Sequence, residues 1–176
     1  KLPKMKNVLK ITVFAIMTVF MVNCSSNDDE SLGGNIPSNG WRIGSTNYTT
    51  YLSMRNIAGA NTLGAFDKIP GDGTNTVAVI FNNTAGISAG TYKIVTTGNQ
   101  SDLLADEIMI GTNINYNNST GHYEKEFVPV IGQNVSATVT ITGGKVKVVI
   151  PEINIVSLPI SASSTTNTFA GTIIEQ

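Results

Sequence analysis

One cysteine and one histidine in 176 residues close off much chemistry before any pattern is sought. A lone cysteine has no partner within the chain, so the fold must hold by core packing and strand pairing rather than by a disulfide framework. A lone histidine, His122, is the one residue that any histidine-dependent triad or relay must use. Charged residues make up only 13% of the chain. Beyond Asn23 there are seven basic against twelve acidic side chains, a net charge of about −5. That balance argues against nucleic acid as a partner, because phosphate recognition calls for a basic patch. No apolar run reaches the length of about 20 residues that a membrane-spanning helix needs.

What is present begins at the N-terminus. Lys1, Lys4, Lys6 and Lys10 precede or border Ile11 to Val22, a run that is apolar apart from Thr12 and Thr18. A charged segment followed by a short apolar one is the layout of a secretory signal, with Met5 as the expected translational start and Lys1 to Lys4 as upstream read-through. Cys24 sits where the apolar run stops. Met21-Val22-Asn23 lacks the small residues of a plain cleavage site, and a cysteine at this boundary resembles the lipobox of bacterial lipoproteins. The resemblance implies cleavage before Cys24, diacylation of its thiol and acylation of the new amine. Asn23 departs from the usual Gly, Ala or Ser at that place. Two or more acyl chains make membrane attachment durable, where one gives only marginal residence. The alternative is a free thiol buried in a signal anchor.

The next residues, Ser25, Ser26, Asn27, Asp28, Asp29 and Glu30, resemble the acidic export tag of Bacteroidota lipoproteins, which implies transfer to the outer face of the outer membrane. A merely solvated tether is the plainer reading of the same acids. The expected organisation is a signal peptide at 1–23, a lipidated acidic tether at 24–39 and one all-β domain at 40–176. The 153 residues left after cleavage suffice for one core.

Thr, Ser, Asn and Gly are abundant and β-branched residues carry most of the apolar content, which favours strands and turns. The spacing predicts strands over Trp41 to Ser45, Tyr48 to Met54, Val77 to Phe81, Tyr92 to Thr96, Ile108 to Tyr116, His122 to Val130 and Phe169 to Ile174. Asn56 to Asn75, rich in Gly, Asn and Asp, reads as a long loop, and Ser101 to Glu107 as a helical turn or two. The strongest local signal is Val135 to Thr142, then Gly143-Gly144, then Lys145 to Ile150. Alternation on both sides of a Gly-Gly pair predicts a two-residue hairpin with Val135, Ala137, Val139 and Ile141 facing the core opposite Val146, Val148 and Ile150. Pro151 cannot donate to a ladder and predicts a bulge or a strand end. About nine strands without helical crossovers predict an antiparallel β-sandwich, with a closed calycin-like barrel as the alternative. The last forty residues are similar to those of small Bacteroidota lipoproteins of unassigned function, a resemblance that bears on fold class alone.

Candidate chemistry is sparse, and no catalytic or metal-ligating set is expected. Gly86-Ile87-Ser88-Ala89-Gly90 matches G-x-S-x-G, but the nucleophile elbow needs a following helix and Thr91 to Val95 reads as a strand. His122, Glu124 and Glu126 share one strand face, about 7 Å between neighbours, an arrangement suited to acid–base work or to plain solvation. Asp67, Asp72 and Asn75 offer hard oxygen atoms that suit calcium, without the spacing of an EF-hand. Trp41, Tyr48 and Tyr51, with His122 and Glu124, are the residues expected to contact a ligand such as a glycan, although Trp41 serves equally as a lid on the core. These features together point to a surface-exposed, outer-membrane lipoprotein that acts without catalysis in glycan or nutrient capture or in adhesion. A hydrolase using His122, and a barrel holding a small apolar ligand, are the alternatives.

Overall fold

The computed structural model describes residues 36–57, 60–82, 84, 86–161 and 163–176. The expected signal peptide, Cys24 and the acidic stretch Ser25 to Glu30 lie outside the described residues. The eleven described strands are β1 (Gly40–Ile43), β2 (Thr46–Thr49), β3 (Leu52–Arg55), β4 (Thr62–Phe66), β5 (Thr76–Phe81), β6 (Gly90–Ile94), β7 (Glu107–Asn117), β8 (His122–Pro129), β9 (Ser136–Thr142), β10 (Lys145–Ser157) and β11 (Thr166–Ile174). The fold is all-β, in a sandwich-like or barrel-like form. All eleven strands belong to one sheet.

That sheet closes on itself. Strand β7 pairs with β8, β8 with β10, β10 with β9, β9 with β6, and β6 with β7 again. A ring of five strands cannot be antiparallel throughout, because direction alternates from strand to strand and an odd ring returns with the wrong sense. One contact must therefore be parallel. It is β6 with β7, through Lys93↔Glu107 and Ile94↔Ile108. The sheet, expected to be antiparallel, is thus antiparallel in every strand pairing but this one. Parallel neighbours need a crossover of about a dozen residues, and the segment between Ile94 and Glu107 supplies it. The helical turn expected there is a 3-10 turn at Gln100–Asp102. It carries Leu103 onto Ile80 and Met109, on the outer face of the sheet.

Two flaps extend the ring, β11-β1-β2 from β10 and β5-β4-β3 from β7. They meet where Ser53 Oγ donates to the Ile174 carbonyl and Arg55 Nε reaches Glu175 Oε1 at 2.7 Å. The main core fills the space between, with Trp41, Phe81 and Phe169 as its largest fully buried side chains. Interior volume is therefore occupied by side chains.

Local expectations meet this architecture unevenly. The Gly143-Gly144 turn has φ of 60° and 80°, and Val146↔Ile141 and Val148↔Val139 are in the expected register. Ala137 and Val139 are buried, but Ile141 is 39% exposed, because the hairpin tip runs past the strands that cover the rest. Pro151 falls in the register shift between Ile150 and Ile153, the expected bulge. The long loop expected over Asn56 to Asn75 instead contains β4, wholly buried and paired on both edges. Five residues interrupted by Gly64 leave too little alternation to read. The expected strand Tyr48 to Met54 is split by Thr50 and Tyr51 into β2 and β3, which pair with different partners. Asn39, expected at the end of the tether, is tied to the domain by its side chain, which accepts from Ile174 N at 3.0 Å.

Candidate functional site

Asparagine and aspartate favour turns because their side chains bond nearby backbone N–H groups. At one end of the sheet several such turns lock together. In the β4–β5 loop, Asp67 accepts from Asn75 N at 2.9 Å and from Asn75 Nδ2 at 2.6 Å. Buried Thr74 closes the Ile69–Gly71 turn, accepting from Gly71 N at 2.9 Å. This loop then docks on the β7–β8 hairpin. Asn75 Oδ1 accepts from Asn115 N at 2.9 Å, Asp72 Oδ1 from Asn118 N at 3.0 Å, and Gly73 N donates to the Tyr116 carbonyl at 2.6 Å. Asn115 adopts φ 58°, a conformation that asparagine tolerates better than most residues, and its Nδ2 donates to Glu124 Oε2 at 2.7 Å. Asn117 Oδ1 caps the hairpin turn at Ser119 N.

Asp67 Oδ1 and Oδ2, Asn75 Oδ1 and Asp72 Oδ1, among the oxygen atoms expected to suit calcium, each accept from an N–H donor. Among the described residues, no three histidine, aspartate or glutamate side chains converge as metal ligands.

Tyrosines line this rim. Tyr116 and Tyr123 meet edge to face with ring centroids 5.1 Å apart. Burial, with smaller contributions from Tyr116, Glu126 and Asp67, raises the Tyr123 hydroxyl above its ordinary value, against a hydrogen bond to Thr76 that lowers it. Burial and then the Asp67 charge raise Tyr48. Both phenols are neutral hydrogen-bonding groups at physiological pH.

The residues expected to form a site divide. Trp41 is 0% exposed and stacks on Tyr48 at 5.5 Å, so its indole is a core side chain and not a platform open to a ligand. That role is corrected: Trp41 shares with Ile43 the face of β1 that packs into the core. Tyr51 is 56% exposed and Tyr48 is half-buried. His122 and Glu124 are both exposed on β8, where Glu124 is engaged by Asn115. Ser88 of the G-x-S-x-G stretch is bound to the Tyr92 hydroxyl at 2.9 Å and precedes strand β6, so no elbow forms.

Half-buried Glu126 is raised above the ordinary carboxylate range by burial, with His122 pulling the other way. The folded state therefore binds this proton more tightly than the unfolded chain, and the cost is fully present above the folded value and absent below the unfolded one. Glu126→Gln is expected to stabilise the domain at pH 7 by a fraction of a kcal/mol. The gain should vanish as pH falls through the carboxylate range, as urea denaturation at pH 7 and again below that range would reveal.

Sequence reasoning missed Thr76 and Asn113, which line a small hollow together with Gly64 and Tyr123. The signal available was Gly64, a glycine inside the apolar run Thr62 to Phe66. Comparison with protein-family models, with curated proteins and with solved structures found no match for the chain.

Proposed function

We propose that this chain is a surface-exposed lipoprotein of the outer membrane, anchored through acylated Cys24, whose β domain is a non-enzymatic binding module for glycan or nutrient capture or for adhesion. The observation that carries the binding reading is the rim built from the β4–β5 loop and the β7–β8 hairpin. Its Asp67, Asp72 and Asn75 side chains are held by hydrogen bonds from backbone N–H groups and its Tyr116 and Tyr123 rings pack edge to face, a chemistry of recognition and not of proton transfer. The anchor rests on the lysine-flanked apolar run and on the acidic residues after Cys24. The acidic balance beyond Asn23 argues against nucleic acid.

Cys24→Ser is expected to move the protein from the membrane fraction to the soluble one, because the acyl chains supply the attachment. Retention of the variant in membranes would overturn the anchor. Immobilised oligosaccharides or host surface proteins would test the binding role with the full chain in detergent. A hydrolytic activity on ester or glycoside substrates that disappears in His122→Ala would replace that role with an enzymatic one.

A further inference from the structure

The tip of the β9–β10 hairpin departs from the burial pattern of its own strands. Alternation puts Ile141 on the face of β9 shared with Ala137 and Val139, which are buried, yet Ile141 is 39% exposed. On the opposite face Thr138, Thr140, Thr142 and Lys145 are exposed and Lys147 is half-buried. No acidic residue lies on β6, on β9 or between Lys145 and Ile150. Glu175, an acid at this end, is taken up by Arg55 Nε at 2.7 Å and by Val146 N at 2.9 Å, and Arg55 Nη2 also donates to the Gly144 carbonyl at 2.8 Å. Among the described residues, Lys145 and Lys147 make no hydrogen bond or ion pair. The tip thus presents an apolar side chain with two unpaired cations beside it.

This tip sits next to the point where the chain enters the domain. Asn39 Oδ1 accepts from Ile174 N at 3.0 Å, and Ile174 is the cross-strand partner of Lys147. Cys24 lies fifteen residues before Asn39, a reach of at most about 50 Å. The tyrosine-lined rim is at the other end of the strands. Strand β7 runs toward the rim at Asn117, and β6 lies parallel to it with Ile94 beside Ile108, so Gly90 is directed away from the rim. Gly90 pairs with Val139, and β9 continues past that point to Thr142.

We propose that the β9–β10 hairpin tip docks on an anionic lipid surface, with Ile141 entering the headgroup region and Lys145 and Lys147 meeting lipid phosphates. Interfacial segments combine apolar side chains with lysines in this way, because the long lysine stems carry the ammonium groups to the headgroups. Each lysine strengthens membrane contact about fivefold, and the two together about 25-fold. That is too little to hold a free protein on a membrane. It suffices to orient an attached one, since the anchor makes docking an intramolecular step. The orientation rests on the anchor at Cys24 proposed above, and it sets the hairpin against the lipid and the rim outward.

The test uses the full chain in vesicles, with a fluorophore on the thiol of Ile141→Cys or, at the rim, of Ser119→Cys, and reads shielding from aqueous acrylamide. Acylation of Cys24 leaves the introduced thiol as the reactive one. In vesicles of one part phosphatidylglycerol to about three parts phosphatidylcholine, quenching at position 141 is expected to be severalfold weaker than at position 119. Salt at about 1 M, where the Debye length is about 3 Å, should remove most of that difference. Pure phosphatidylcholine vesicles, and the paired change Lys145→Glu with Lys147→Glu, should do the same. The salt and lipid arms need no change at the lysines, so they decide the matter even if the paired variant fails to fold. Equal quenching at the two positions in the anionic vesicles would overturn the docking. So would shielding at 141 that is equally strong in neutral vesicles, the result that cover by the chain's own Asp28, Asp29 and Glu30 would give. Both outcomes leave the anchor standing while the unsubstituted chain floats with the vesicles and resists labelling at Cys24. Labelling there would overturn the anchor, and the orientation with it.

Discussion

Trp41→Ala lowers the stability of the domain by about 3–5 kcal/mol, the range for truncating a large buried aromatic side chain. Trp41 is fully buried among core side chains and stacks on Tyr48 with 15° between the ring planes, so the substitution empties volume at the junction of β1, β2 and β11. Whole-domain stabilities run from about 5 to 15 kcal/mol, so this one change removes a large fraction of the total. A fall in melting temperature of about 10 °C or more is expected. Trp41→Phe separates ring from polar atom. The indole Nε1 is buried without a partner, an arrangement that itself costs about 1–3 kcal/mol, so phenylalanine should recover most of the loss. Guanidinium denaturation of the three proteins measures both steps. A drop below about 1 kcal/mol for Trp41→Ala would mean that Trp41 does not hold this end of the core.

Gly40→Ala is the second large effect, expected at about 3 kcal/mol, the upper end of overpacking costs. A Cβ on Gly40 would lie 2.2 Å from the Tyr48 carbonyl oxygen, 3.0 Å from Pro37 Cβ and 3.1 Å from Thr49 Cα. The nearest obstacle is backbone, which cannot rotate away. Strand β1 must shift instead, and its pairings Gly40↔Thr49 and Gly40↔Thr172 shift with it. The contrast with Gly111→Ala is a sharp one, because a Cβ there would meet nothing within 4 Å. Both glycines lie in strands without left-handed φ, yet one has backbone where a side chain would go and the other has open space. Equilibrium unfolding should therefore show one variant destabilised and the other unharmed. Equal effects would refute the packing described around β1.

The legible parts of the fold are those with local causes. The Gly143-Gly144 hairpin could be read because positive φ and alternation are properties of a dozen consecutive residues, and the Pro151 bulge because a missing N–H acts at its own position. Strand β4 could not be read, since five residues around Gly64 carry no period. Ile141 illustrates the limit of alternation, which says that a residue shares a face with Val139 and not whether anything covers that face.

The candidate site was legible in kind and misplaced in detail. Tyr48, Glu124 and the Asp67 to Asn75 loop do lie along the rim, where turn-forming side chains gather. Trp41 falls on the face of β1 that packs into the core. Asn113 gains meaning only beside Thr76, from which it is separated by more than thirty residues of chain.

By itself, the sequence determined the all-β class, the tight hairpin, the bulge and the expectation of an anchor at Cys24, since each depends on neighbours along the chain. Tertiary structure alone decided that five strands form a ring, that an odd ring needs one parallel contact, and that two glycines and an alanine from three strands line up side by side. Register between distant strands is fixed by packing, and packing has no local signature.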